Sequence, residues 1–106
     1  MDLVTEIYKL LELFPSEEKY ALCDQIRRAS VSVPSNIAEG MSRFFSRENL
    51  HFFNISKGSL METMCQIEIA RRLGYVSQED FTQKEKTVTE IAYMLSSLYK
   101  KIYLSV

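Results

Sequence analysis

The chain has little of what catalytic and metal-binding sites use. Its 106 residues include one histidine, three glycines, two prolines and no tryptophan. One histidine leaves few options for a metal site or for acid–base catalysis, and three isolated glycines cannot form a glycine-rich phosphate loop. The small number of glycines and prolines also argues against a sandwich or barrel of many short strands. We therefore expect a protein that is not an enzyme, with no catalytic residue, cofactor, metal or small-molecule substrate.

The two cysteines, Cys23 and Cys65, are too few for a disulfide scaffold, and neither belongs to a CxxC pair. Each lies within an apolar helical pattern, which predicts two reduced and mostly buried thiols. The chain does not open with a basic, signal-like segment, and no apolar run approaches the roughly 20 residues that cross a bilayer. These features predict a cytoplasmic protein that is not in a membrane.

What the sequence does contain is an ordinary globular composition with helical patterning. Hydrophobic residues make up 46% and charged residues 25% of the chain, with a net charge of −1, which is typical of a single domain over residues 1–106. Apolar residues recur every three or four positions. This period predicts an all-α protein with helices at about 2–14, 17–40, 47–73 and 78–104. Short connections make sequential helices antiparallel, so we expect an up-down-up-down four-helix bundle.

Local signals mark the helix ends. Ser16 is a candidate N-cap of the second helix and Ser46 precedes the third. Gly40 and Gly74 are candidate C-caps of the second and third helices. Ser77 begins a capping-box pattern, the clearest start signal in the chain, ahead of the fourth helix.

Pro34 interrupts the second predicted helix, although the apolar stripe continues through it without a change of register. A proline inside a helix removes a hydrogen bond and costs about 3 kcal/mol. Two interpretations remain: one kinked helix or two shorter helices. The unbroken register favours one kinked helix, in which Ser30 would help to satisfy the backbone near the proline.

The third predicted helix carries two apolar stripes, which indicates that it is covered on two sides. Gly58 and Ser59 lie in its middle, where a glycine costs about 1 kcal/mol relative to alanine, so we expect a neighbouring helix to approach closely there. The two faces together favour self-association. One stripe consists of Phe53, Leu60, Met64 and Ile67, and the other of Phe52, Ile55, Ser59, Ile69 and Leu73.

Arginine is confined to the middle of the chain, and arginine pairs well with carboxylates and phosphates. One interpretation is ion pairing between helices or subunits, with neighbours such as Asp24, Glu39 and Glu68. The other is a basic strip that contacts RNA or DNA phosphates, which the nearly neutral overall charge makes less favourable. The six residues are Arg27, Arg28, Arg43, Arg47, Arg71 and Arg72.

Two further patterns have structural explanations. Glu48 and His51 form a Glu-x-x-His motif, but bundle di-iron sites use this motif twice and the chain has one histidine. We therefore interpret His51 as a surface residue.

The aromatic residues suit packing and subunit burial better than base stacking. They are Tyr8, Tyr20, Phe44, Phe45, Phe52, Phe53 and Tyr75.

The chain resembles the four-helix-bundle proteins of the ribosomal RNA intervening-sequence family along essentially its whole length. The matching segments are FPSEEKYAL (14–22), QIRRA (25–29), SVPSNIAEG (32–40), GSLxE (58–62) and RLGY (72–75). On this pattern the chain begins inside the first helix of the family, so we expect that helix to be short here.

The resemblance implies an assembly more firmly than an activity. The proteins that the chain resembles include the accessory protein of diversity-generating retroelements. That relative looks like a homopentameric barrel, which binds a reverse transcriptase and nucleic acid. The resemblance therefore implies a pentameric, non-enzymatic scaffold, with an RNA- or DNA-binding accessory module as the alternative. Candidate signature or interface residues are Ser32, Pro34, Asn36, Glu39, Gly40, Gly58 and Ser59.

Overall fold

The computed structural model describes residues 2–18, 20–42 and 47–104, and within them the chain forms four α-helices and no strand. The helices pack in chain order, with the most extensive contact between the second and third. The all-α, four-helix prediction is confirmed. The helices are α1 (Asp2–Leu11), α2 (Leu22–Met41), α3 (Arg47–Arg72) and α4 (Gln78–Tyr103).

The long helices determine the shape of the molecule, which measures 46 × 24 × 18 Å along its principal axes. At 1.5 Å per residue, α3 and α4 each extend about 39 Å and so run along most of its length. One face of α1 is buried in the main core through Leu3, Ile7 and Leu10. A second, smaller cluster joins Leu50 and Phe53 of α3 to Ile102 near the end of α4.

The segment between α1 and α2 differs from the prediction. α1 ends at Leu11 rather than at residue 14, and a short 3-10 turn covers Ser16–Glu18 before α2 begins at Leu22. The residue before a proline avoids the helical region, so Pro15 disfavours a helical Phe14. The amides of residues 12–14 bond carbonyls three residues back, as in a 3-10 turn. Ser16 is therefore not the N-cap of α2. That position belongs to Ala21, whose side chain cannot accept a hydrogen bond.

α2 continues through Pro34 as one helix, which confirms the single-helix interpretation. The expected role of Ser30 is wrong, because its hydroxyl donates to the carbonyl of Arg27 at 2.9 Å, before the proline. Ser35 follows the proline, and its hydroxyl donates to the carbonyl of Val31 at 2.9 Å.

The glycines at the two helix ends behave differently. Gly40 lies inside α2, which ends at Met41 with Ser42 as a right-handed C-cap, so the capping prediction for Gly40 is wrong. Gly74 has a φ of 84° and follows α3 directly after Leu73. The amide of Tyr75 donates across it to the carbonyl of Ala70 at 2.9 Å. This pattern is the predicted glycine cap.

The start of α4 also agrees with its sequence signal, since the Ser77 hydroxyl accepts a hydrogen bond from the Asp80 amide at 3.1 Å. Arg43, Phe44, Phe45 and the predicted helix start at Ser46 lie outside the described residues. Among the helices that are described, none is both long and apolar enough to span a bilayer.

Both cysteines are free thiols, but only Cys23 is buried as predicted. Burial raises the pKa of the Cys23 thiol. Cys65 is exposed and lines a groove between α3 and α4.

Candidate functional site

A polar seam joins α2 to α3 and contains four of the candidate interface residues, Ser32, Asn36, Gly40 and Ser59. The hydroxyls of Ser32 and Ser59 lie 2.8 Å apart. The amide of Asn36 donates to the carbonyl of Ser32 at 2.8 Å and to its hydroxyl at 2.9 Å. Two serine side chains reach each other only where helix backbones are close, so the expected close approach is confirmed at Ser59.

Further polar bonds extend the seam toward the loop between α2 and α3. The Ser56 hydroxyl donates to the carbonyl of Val33 at 2.8 Å, in the turn that contains Pro34. The amide of Asn49 donates to the carbonyl of Gly40. Ser56 and Asn49 are fully buried, and a buried polar group without a partner costs about 1–3 kcal/mol. These bonds therefore fix the register of α2 against α3.

Gly58 does not share this environment. It is exposed, and a Cβ added there would meet no described atom within 4 Å. Within one chain, the predicted close approach of a helix at Gly58 is therefore wrong, although it holds at the neighbouring Ser59.

The two apolar stripes of α3 have different surroundings. Phe53, Leu60 and Ile67 of the first stripe are buried. In the second stripe, Ile55, Ile69 and Leu73 are 37%, 44% and 55% exposed. We call these three residues, together with Gly58, the α3 outer row. The helices of this chain cover the first stripe and leave the α3 outer row open.

Near the start of α2, Asp24 binds two arginines of the same helix. Its carboxylate lies 3.4 Å from Arg27 and 3.1 Å from Arg28. Arg27 is half-buried, and its guanidinium lies 5.7 Å from the centre of the Tyr8 ring on α1, within cation–π distance. Arg28 remains largely exposed.

The end of α3 repeats this arrangement around Glu68. Its carboxylate lies 2.7 Å from Arg71 and 3.0 Å from Arg72. Arg71 is half-buried with its guanidinium 5.2 Å from the centre of the Phe81 ring on α4. Hydrogen bonds from Arg71 and then Arg72 lower the pKa of Glu68 to about 2. The bond with Glu68 also raises the pKa of Arg71.

Among the described arginines, Arg47 lies apart from the two clusters. Asp24 and Glu68 are partners as expected, but they bind arginines within their own helices. Arg47 begins α3, which puts it about 36 Å along the helix from Arg71 at 1.5 Å per residue. Glu39, another expected partner, is exposed near the end of α2.

A cleft that the sequence did not predict lies between the start of α3 and the end of α4. The exposed His51 lies on its wall. A signal for part of it was present, because Tyr99 and Tyr103 are one helical turn apart. Across the described part of the chain, no three His, Cys, Asp or Glu side chains form a group that would hold a metal ion. The cleft is lined by Arg47, Leu50, His51, Asn54, Tyr99 and Tyr103.

Comparisons with known proteins agree with the arrangement of helices. No curated protein matches the chain. A crystal structure of a protein of unknown function from the S23 ribosomal protein family of Bacteroides thetaiotaomicron matches with a TM-score of 0.85 and 25% identity, over 93% of each chain. The family model of the 23S rRNA-intervening sequence protein matches residues 1–97. The chain belongs to the 23S rRNA-intervening sequence protein family.

Proposed function

We propose that this protein is a non-enzymatic scaffold that assembles with further copies of itself through the α3 outer row. The observation that carries the proposal is a line of large apolar side chains on a helix that already buries its opposite face. Ile69 and Leu73 lie about four and about five helical turns from Ile55, so the three share one side of α3.

Exposure of such a row to water is unfavourable, since burial of apolar surface contributes roughly 25 cal/mol per Å². Gly58 lies within the row and leaves open space beside the helix backbone. A glycine inside a helix weakens it, and close approach by a second molecule explains why the row carries one. The neighbouring Ser59 is already bonded to Ser32 in the same chain, so Gly58 is the position left for an intermolecular contact.

The pentameric ring is the finer part of the proposal and rests on the family resemblance. A five-membered ring needs a head-to-tail interface, in which one surface meets a different surface of the next copy. The α3 outer row would supply the first surface. Tyr93 and Met94 of α4 are also largely exposed, and we propose them as part of the second.

The test is the mass of the full-length protein in solution, measured by light scattering after size-exclusion chromatography at micromolar concentration. We expect about five times the chain mass of 12.4 kDa. A mass equal to one chain would refute self-assembly, and a stable assembly of another size would refute the pentamer alone.

Two matched variants locate the interface. Ile69 and Met61 lie on α3 and are both 44% exposed, but Met61 lies outside the α3 outer row, in the groove toward α4. We expect Ile69→Glu to reduce the mass to that of smaller species and Met61→Glu to leave it unchanged. Glutamate is a good helix former, so neither change should unfold α3.

The second candidate function, RNA or DNA binding, is favoured by one observation. Arg28 and Arg72 are 81% and 75% exposed although each has a carboxylate partner. Each cluster of two arginines and one carboxylate keeps one positive charge that can meet a phosphate. Phosphate binding weakens steeply with salt.

This candidate predicts binding of structured RNA or duplex DNA at low salt. The variant with Arg28→Gln and Arg72→Gln should bind more weakly, and Lys86→Gln, which removes an exposed cation of α4, should have a smaller effect. No binding at low salt, or equal binding by all variants, would reject it. The quadruple variant, in which Arg27, Arg28, Arg71 and Arg72 are all replaced by alanine, removes both clusters and should bind most weakly.

A further inference from the structure

The cleft between α3 and α4 has the size and the chemical groups of a small-molecule site. Its volume is about 610 Å³, within the range of roughly 300–1,000 Å³ typical of ligand sites. Arg47, His51 and Asn54 occupy successive turns of α3 on one wall. Tyr99 and Tyr103 form the opposite wall on α4.

Two polar side chains of this cleft, Arg47 and Asn54, form no polar contact with other described residues. Arg27, Arg28, Arg71 and Arg72 share carboxylates, whereas Arg47 forms no ion pair with any described residue. Asn54 likewise makes no hydrogen bond within the described part of the chain. Within the described part of the chain, no carboxylate pairs with Arg47, so its guanidinium is available to a ligand there.

On the other wall, the tyrosines form a stacked pair of nearly parallel rings, here called the tyrosine surface. Their ring centres lie 6.3 Å apart and their planes differ by 11°. Tyr99 is half-buried and packs against the cluster of Leu50, Phe53 and Ile102, which fixes its position. Tyr103 extends the surface and is 60% exposed. A large tyrosine exposed beside an unpaired arginine suits a ligand that has both a ring and a negative charge.

We propose that the cleft binds a nucleotide, with the base on the tyrosine surface and the phosphate on Arg47. Aromatic side chains stack on any base, and the guanidinium binds two phosphate oxygens at once. His51 and Asn54 are placed to hydrogen-bond the sugar or the phosphate. The site is separate from the α3 outer row, so the inference goes beyond self-assembly.

Two sources provide this chemistry: a free mononucleotide, or a terminal nucleotide that carries the 5′-phosphate of a single strand. Both place one base and one phosphate in the cleft. A strand also brings further phosphates, so its binding is stronger and depends more on salt. Titrations of AMP and of a 5′-phosphorylated oligoadenylate at two salt concentrations distinguish the two sources.

The experiment is a calorimetric or NMR titration of the full-length protein with AMP, adenosine and inorganic phosphate. We expect AMP to bind at submillimolar concentration and the two fragments each to bind about tenfold more weakly or less, because each lacks one contact. Arg47→Gln should weaken AMP binding about tenfold, as should Tyr103→Ala through lost stacking.

Matched controls separate the site from general effects of charge and surface. Lys86→Gln removes an exposed positive charge of α4 outside the cleft. Tyr20→Ala removes a tyrosine that precedes α2 and lies outside the cleft; it is 87% exposed. Both should bind AMP like the unchanged protein. Circular dichroism of each variant verifies that the helices are retained.

Three results would overturn the proposal. AMP and the 5′-phosphorylated strand both failing to bind at millimolar concentration would exclude the site. Equal binding of AMP and inorganic phosphate would exclude the tyrosine surface. Loss of binding in Lys86→Gln equal to that in Arg47→Gln would show general charge attraction. Because light scattering is run on the same samples, failure of self-assembly remains distinguishable from failure of nucleotide binding.

Discussion

The ring of Phe53 occupies the space that a side chain at Gly40 would need. A Cβ added at Gly40 would lie 2.7 Å from Cε1 of Phe53, closer than carbon atoms approach without a clash. Phe53 is 1% exposed and belongs to the cluster with Leu50 and Ile102, so its ring has little freedom to move. This glycine therefore serves the contact between α2 and α3.

Gly40→Ala should destabilise the protein. Displacing a packed ring in a core costs typically 1–3 kcal/mol, and better helix propensity returns up to about 1 kcal/mol. We expect a net loss of about 1–2 kcal/mol in the free energy of unfolding, measured by urea denaturation at fixed protein concentration. Stability equal to that of the unchanged protein would show that Phe53 can move aside.

Gly58→Ala is the opposite case, because the position is also inside a helix but has open space beside it. Because the proposed assembly packs against Gly58, we expect a reduced mass in light scattering. In dissociated chains the free energy of unfolding should rise by about 0.5–1 kcal/mol through helix propensity alone. The same urea experiment measures it, with Gly40→Ala as the contrasting variant. A loss of stability together with a reduced assembled mass would mean that another copy already fills this space.

The sequence predicted the parts of the fold that depend on neighbouring residues. Helix period alone locates the four helices. The cap at Gly74 and the start at Ser77 follow from local backbone chemistry that a few residues specify. Gly40 carries the same local signal as Gly74, but its role depends on Phe53, which the sequence places on a different helix. The sequence pattern has no means of showing that contact.

The candidate site shows the same division between local and distant information. The partners Asp24 and Glu68 were predictable because each lies one helical turn from its arginines. The separation of Arg47 from the other arginines was not predicted. Arg47 and Arg71 belong to the same arginine-containing segment of the sequence, but they lie at opposite ends of α3. The exposure of Cys65 was not predicted, because an apolar pattern identifies a hydrophobic face of a helix but does not show whether another helix of the chain packs on it.

Glu68→Gln should change how stability depends on acid. The pKa of Glu68 is lowered from 4.5 to about 2 by its bonds with Arg71 and Arg72. The ionised carboxylate thus stabilises the folded state fully above pH 4.5, and this contribution disappears as pH falls toward about 2. The variant lacks it, so we expect lower thermal stability than the unchanged protein at pH 7 and a difference that shrinks through this window.

Thermal unfolding followed by circular dichroism from pH 7 to pH 2 measures this difference. Glu90→Gln is the control, because Glu90 is an exposed glutamate of α4. A constant difference between the unchanged protein and Glu68→Gln across the whole range would contradict the expected role of Glu68.

Tyr75→Phe should make the protein less sensitive to alkali. The Tyr75 hydroxyl donates to Glu18 at 3.2 Å. Burial, and then the Glu18 charge, raise the pKa of Tyr75 above its ordinary value of 10.0. The unfolded chain therefore loses the tyrosine proton first, and the folded state loses stability as pH rises above 10.

Phenylalanine removes this titration, so stability from pH 9 to pH 11 should fall less steeply in Tyr75→Phe than in the unchanged protein. Tyr93→Phe, at an exposed position, serves as the control in the same urea titrations. Parallel declines in all three proteins would rule out a contribution from the Tyr75–Glu18 contact.

Pro34→Ala tests whether the proline serves the fold or the assembly. Alanine restores an amide that can bond the carbonyl of Ser30 and is favoured over proline in a helix interior by about 3 kcal/mol. We expect unchanged or higher helical content by circular dichroism and an unfolding free energy no lower than that of the unchanged protein. Ser35→Ala, one residue further along α2, is the control for a small change on the same turn. Loss of helical structure would contradict the prediction. Retained helicity with a reduced mass in light scattering would instead show that the proline shapes α2 for contact with another copy.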